Sequence, residues 1–221
     1  MASLPYILVC AGEDSGDSLG ALLVREAVLQ NFKIVGSGGL RMQTAGMDPL
    51  VKFDLLPVSG FGDVLPKYFE LRKSFATLKR ALESSDCLGL VAIDYPGFNM
   101  KLVKLAGKLR KPALYIAPPQ VWAWKRRRAK VLARNPLAKL AVFFDFEEKV
   151  YAEAGCDVVR VQHPYVKTKN NFSSPTRQIL LLPGSRKSQA LRNLPLFLKA
   201  VQMARQKILD GKAGCIIIKY G

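Results

Sequence analysis

Histidine is nearly absent from this sequence: His163 is the only one among 221 residues. Multi-histidine metal centres are thereby excluded, and no metal site is expected. The four cysteines, Cys10, Cys87, Cys156 and Cys215, stand far apart, so neither a CxxC redox pair nor a zinc knuckle is encoded. They are expected as reduced, mostly buried thiols of a cytosolic protein. No run reaches the roughly 18 apolar residues that a membrane span requires. The first residues also lack the basic-then-apolar pattern of a secretory signal. Acidic residues are scarce in one half only. Residues 1–100 carry 9 basic and 11 acidic side chains, whereas residues 101–221 carry 25 and 6, within a formal net charge of +17. Such asymmetry points the second half towards phosphates, anionic lipid or nucleic acid, without choosing among them.

What is present is the composition of a soluble globular protein, 49% hydrophobic and 23% charged, and long enough to bury a core unaided. Short apolar runs alternate with helical spacing. Strands are expected at Tyr6–Ala11, Lys33–Val35, Leu88–Ile93, Ala113–Ile116, Leu140–Phe144 and Val158–Val161. Helices are expected at Leu19–Gln30, Val64–Glu83, Met100–Leu109 and Phe146–Ala154. Strands separated by helices indicate βαβ units and a parallel sheet. Residues 1–165 are therefore predicted to form one α/β, doubly wound domain. The polar stretch 166–178, with Asn-Asn, Ser-Ser and Pro, is predicted to be a linker. Residues 179–221 restart the pattern with a strand at Ile179–Leu182, a helix at Gln189–Leu209 and a strand at Cys215–Lys219, which is only part of a second such domain.

Ligands of open α/β sheets bind beyond the carboxyl ends of the strands, so those loops are the places to look for chemistry. Ala11–Asp17 is glycine-rich and enters a helix, yet it is neither GxGxxG nor a Walker loop. Its carboxylates would repel a phosphate but suit sugar hydroxyls; alternatively Ser15 or Asp17 caps the helix. Asp94 follows an apolar strand and precedes Tyr95 and Phe98. It is either a base with a raised pKa or the cap of the next helix. Trp122 and Trp124 adjoin the basic run 125–128, which fits a sugar ring, a nucleobase or a membrane interface, or else core indoles beside a solvated helix start. Pro183–Ser188 offers glycine, hydroxyls and two cations with no acid, the pattern of an anion-binding strand-to-helix loop. Phe61, Leu65, Tyr68, Phe75, Leu78 and Leu82 form a stripe that is either a helix's core face or, at its Gly-rich start, a lipid contact through Phe61, Val64 and Leu65. His163 is expected as a structural or hinge residue.

In this order, the segments AGEDSGD (11–17), VGSGGLRMQTAGM (35–47), VSGFGDVLPK (58–67), AIDYPGFN (92–99), PPQVWAWKRRR (118–128), FDFEEKVYAEAG (144–155), HPYV (163–166) and LLPGSRKSQ (181–189) resemble the lipid-A-disaccharide synthase family. The resemblance runs from Ile7 to about Leu198. It implies a two-domain, GT-B type glycosyltransferase whose acceptor side is the first, Rossmann-like domain. The implied reaction joins UDP-2,3-diacylglucosamine to 2,3-diacylglucosamine 1-phosphate, with inversion, release of UDP, and no metal or other cofactor. It implies Asp94 as the base and Arg186 as the cation on the departing diphosphate, with Gly184 and Ser185 beside it. It implies an acceptor site near Gly12, Glu13, Ser15, Gly16, Asp17, Phe98, Asn99, Trp122 and Trp124. The basic half would then face the anionic inner-membrane surface of a Gram-negative bacterium, as a peripheral protein, and a homodimer is open.

The chain departs from the family pattern at Asp63, Asp145, Gln162, Val166, Lys167 and Gln189. The family's second domain continues for on the order of 100 or more further residues, including the segments that hold the uridine and those that exchange to form a dimer. A non-catalytic, acceptor-binding short form is therefore the alternative to an active transferase. A basic nucleic-acid-binding protein is disfavoured, because Glu13, Asp14, Asp17 and Asp94 would line the face that has to bind.

Overall fold

A computed structural model describes residues 4–53, 64–167, 179–184, 187–208 and 216–218. The chain divides into two compact units, 1–167 and 168–221. In the first unit seven parallel strands lie in the order β3-β2-β1-β4-β5-β6-β7. They are β1 (Tyr6–Ala11), β2 (Lys33–Ser37), β3 (Met47–Pro49), β4 (Cys87–Ile93), β5 (Ala113–Ile116), β6 (Ala138–Val142) and β7 (Asp157–Arg160). The helices are α1 (Asp14–Leu29), α2 (Leu40–Thr44), α3 (Val64–Glu83), α4 (Pro96–Lys108), α5 (Arg127–Leu132) and α6 (Asp145–Glu153). This is the expected doubly wound sheet, the Rossmann-like architecture of a GT-B first domain.

Alternation along the strands explains the two cores. Leu8, Cys10, Leu90, Ala92, Tyr115 and Leu140 face one side, where Leu78 and Leu82 of α3 and Leu102 and Val103 of α4 pack on them. Val9, Ala11, Val91 and Ile93 face the other side, against Val24 of α1 and Met42 of α2. Fully burying each such aliphatic side chain contributes on the order of 2 kcal/mol. The α3 stripe is thus a core face where its side chains are described: Leu78 and Leu82 are fully buried and Phe75 packs beside them. The side chains of Val64 and Leu65 and all of Phe61 lie outside the described residues.

Strand order reverses between β1 and β4, which are paired from Tyr6↔Cys87 to Ala11↔Ile93. The loops leaving these two strands, at Gly12 and at Asp94, therefore start side by side. A crevice at that switch point follows from topology alone.

The second unit pairs β8 (Ile179–Leu181) with β9 (Ile216–Ile218) in parallel, joined through α7 (Lys187–Ile208). Leu181, Ala190 and Val201 are buried, whereas Leu180, Leu182, Leu191 and Leu196 are exposed. One strand pair and one helix, a single βαβ arrangement, are the described part of the second unit.

Candidate functional site

At the carboxyl ends of β4, β5 and β6 the first unit opens a cleft of about 280 Å³, lined by Asp94, Pro118, Gln120, Trp124, Arg128 and Glu147 among others. Asp94 leaves β4 in a left-handed conformation (φ 47°), as does Tyr95 behind it (φ 48°). Such conformations are uncommon for residues with a Cβ and cost on the order of 1–3 kcal/mol each, so the surroundings must hold them. They do. The Asp94 backbone N–H donates to the Ile116 carbonyl at 2.9 Å, and the Asp94 carbonyl accepts from the Tyr115 hydroxyl at 3.1 Å and from Asn99 Nδ2 at 2.9 Å. Asn99, buried on α4, also places Nδ2 at 3.1 Å from the carbonyls of Cys10 and Ile93. It ties the ends of β1 and β4 to α4.

The carboxyl of Asp94 is half-buried. Burial pushes its pKa up, the Tyr95 backbone N–H opposes that, and the Glu13 charge adds to the rise. Asp94 is not the cap of α4. That place belongs to Tyr95, and no side chain caps the helix. Tyr95 packs on Gly12: a Cβ there would collide with its ring. Gly12 thus lets the β1 loop meet the β4 loop.

The AGEDSGD segment is mostly architecture. Glu13 is the N-cap of α1, so Ser15 and Asp17 sit within the helix rather than capping it. Asp17, 3% exposed, instead turns its carboxylate to α2, accepting from the backbone N–H of Met42 at 3.1 Å and of Arg41 at 3.2 Å. Gly39 is the N-cap of that helix, and a Cβ there would meet the Asp17 carboxylate at 2.7 Å. The segments 11–17 and 35–47 are therefore one construction. Gly16 packs against Ala11 and Ile93, and Ser15 is exposed.

Phe98 is buried in the core, edge-on to Phe75 at 5.2 Å. The two tryptophans are not core residues: Trp122 is 43% and Trp124 55% exposed. Trp124 lines the cleft, with Lys125 Nζ 4.4 Å and the Arg128 guanidinium 5.3 Å from its ring centre. Trp122 stands edge-on to Phe146, which stacks on Phe144 at 5.3 Å. These four exposed rings beside the basic run form an aromatic and cationic rim.

Two residues without an expected role brace the loops that line the cleft. The buried Tyr115 supports Asp94, and the buried Tyr151 donates its hydroxyl to the Pro119 carbonyl at 2.6 Å. Glu147 Oε2 accepts from the backbone N–H groups of Phe143 and Phe144 at 3.3 Å, fixing the start of α6. His163 lies 4.6 Å from the Phe143 ring. Gly184 has φ 132°, a left-handed conformation in the loop before α7. Ser185 and Arg186 lie outside the described residues. Cys10 and Cys87 are free and buried, and Cys156 is free and half-buried. Burial pushes the Cys10 thiol up to about 12. No group of metal-ligating side chains occurs among the described residues.

The family model described as lipid-A-disaccharide synthetase matches residues 7–213. The chain belongs to this family. Relatives include lipid-A-disaccharide synthase of Coxiella burnetii (strain Dugway 5J108-111), 34% identical over 91% of this chain and 57% of the relative. Lipid-A-disaccharide synthase 1 of Legionella pneumophila (strain Paris) is 34% identical over 92% of this chain and 56% of its own length. The synthase of Trichlorobacter lovleyi is 37% identical over 90% and 56%. The chain therefore spans little more than half the length of these curated relatives, and the residues that line the Asp94 cleft all lie within the stretch matched by the family model.

Proposed function

We propose that this chain supplies the acceptor side of a lipid A glycosyltransferase, binding 2,3-diacylglucosamine 1-phosphate in the Asp94 cleft. The observation that carries this reading is the half-buried Asp94 carboxyl held at the switch point of the sheet, beside the Trp124 face and the Arg128 guanidinium. A sugar ring stacks on an indole, and a carboxylate freed of its proton accepts one from the attacking hydroxyl. In the complete reaction the acceptor oxygen bonds to the donor's anomeric carbon as its proton passes to Asp94. The bond from that carbon to the diphosphate breaks, and UDP departs with the electron pair. Attack opposite the leaving group inverts the centre. Arg186, with Gly184 and Ser185, is assigned to the diphosphate charge that develops, so no metal is called for. Gly12, Glu13, Ser15, Gly16, Asp17, Phe98 and Asn99 do not line the cleft; their proposed part on the acceptor side is indirect, through the β1 and β4 loops that carry Asp94 and Tyr95.

The protein would work at the inner face of the cytoplasmic membrane. No helix among the described residues is long and apolar enough to cross a bilayer. The rim of Trp122, Phe144 and Phe146 with Lys125, Arg126 and Arg127, together with Phe61, Val64 and Leu65, is proposed to meet lipid. Aromatic and cationic side chains favour that interface.

Two versions of this reading differ in whether these 221 residues also catalyse. The share of the relatives that the chain spans, and the small second unit, favour acceptor binding without transfer by the chain alone. Incubating the purified chain with both substrates separates them. Binding of the acceptor lipid without UDP release is the expected result; disaccharide and UDP would show transfer by the chain alone. Failure to bind the acceptor lipid would contradict both.

A further inference from the structure

Of the basic run 125–128, Lys125, Arg126 and Arg127 are exposed, whereas Arg128 is half-buried and lines the same cleft as Asp94. Its guanidinium carbon lies 5.3 Å from the centre of the Trp124 ring, within cation–π range. Among the described residues the ion pairs are Lys79–Glu83, Lys139–Asp157 and Arg160–Asp145, so Arg128 has no carboxylate partner. Two acids share its cleft, and neither neutralises it. Glu147 gives Oε2 to the backbone of Phe143 and Phe144. Asp94 has its pKa raised, with no cation among the causes. A carboxyl touching a guanidinium would be shifted the other way. A half-buried cation and a half-buried acid thus face one cavity without pairing. That arrangement fits a ligand carrying an anion at one end and a hydroxyl at the other.

We propose that Arg128 is the residue that reads the acceptor's phosphate, taking its oxygens in a bidentate contact while the sugar hydroxyl is turned to Asp94. The inference rests on the acceptor reading of the cleft and adds to it a determinant of specificity. Arg128 would make the site choose a phosphorylated over an unphosphorylated acylated sugar.

The test is equilibrium binding of the full chain to 2,3-diacylglucosamine 1-phosphate and to its dephosphorylated form, each dispersed in a neutral detergent so that no other anionic surface is present. Wild type should prefer the phosphorylated lipid. Arg128→Ala should lose about 10- to 100-fold in affinity for it, the loss of a charged hydrogen-bonding partner, and bind the dephosphorylated lipid as wild type does. Arg128→Lys should fall between. Inorganic phosphate at equal concentration should not displace the lipid. Equal losses for both lipids in Arg128→Ala would make the residue structural and overturn the inference, as would an unchanged preference. Displacement by inorganic phosphate would overturn it in favour of a free-anion site. Wild type binding both lipids equally overturns the role of Arg128 alone, whereas wild type binding neither overturns the acceptor reading with it.

Discussion

At the residue scale the account turns on Asp94. A carboxyl whose pKa is raised in the folded state takes up protons on folding. Its contribution to stability is greatest below its unfolded pKa and is lost as pH rises through the folded one. At neutral pH the ionised, partly desolvated Asp94 therefore lowers stability. Asp94→Asn should melt at a higher temperature than wild type near pH 7, with the difference shrinking as pH falls into the carboxylate range; melting curves across that range check it. In a chain carrying the complete donor side, the same change should cut disaccharide formation by roughly 10²–10⁴-fold, the usual worth of a general base. Asp17 behaves differently. Asp17→Ala strips two backbone N–H groups at the start of α2 of their acceptor and should cost about 1–3 kcal/mol in urea unfolding. Asp94 was legible from its place after an apolar strand. Asp17 and Asn99 were legible as polar residues near the site but not as backbone struts, because their partners lie 25 and 89 positions away. Tyr115 and Tyr151 were hidden for the same reason, since their hydroxyls reach carbonyls on distant loops.

At the scale of elements, periodicity carried far where segments are long or strongly apolar. The bounds of β1, α3 and β5 are those expected from the sequence. α1 begins at Asp14 rather than Leu19, because Gly16 reads as loop but serves as a small contact against Ala11 and Ile93. α4 begins at Pro96 rather than Met100, since proline is well suited to a first turn. β6 spans Ala138–Val142 rather than Leu140–Phe144, leaving Phe143 and Phe144 to the cleft. The short α2, β3 and α5 hold five, three and six residues, too few to show a period. The meeting of the β1 and β4 loops can be tested through Gly12. Gly12→Ala drives a methyl group into the Tyr95 ring atoms, so Tyr95 must shift, and Asp94 next to it with it. Acceptor affinity should fall at least tenfold, as judged from how sharply mispositioning acts at such sites, while the far-ultraviolet circular dichroism stays that of the wild-type sheet.

At the scale of the whole molecule, charge is divided between the halves of the chain. A surface cation near anionic lipid contributes about 1 kcal/mol, and salt screens it. Binding to vesicles containing phosphatidylglycerol should fall steeply between low and high salt, and vesicles of phosphatidylcholine should bind poorly. Replacing Lys125, Arg126 and Arg127 together by glutamate should abolish most of that binding in a co-sedimentation assay. The doubly wound sheet was legible from alternating strand and helix patterns. The cleft was not, because it is assembled from loops after three strands that only the sheet order brings together. The central claim is that this cleft seats the acceptor, and photolabelling tests it most directly. A photoreactive analogue of 2,3-diacylglucosamine 1-phosphate, with the reactive group on the sugar, should label the chain saturably, in peptides covering residues 94–98, 118–128 and 143–147. Unlabelled acceptor should compete it away. Saturable labelling confined to other parts of the chain, or none that the acceptor displaces, would contradict the account.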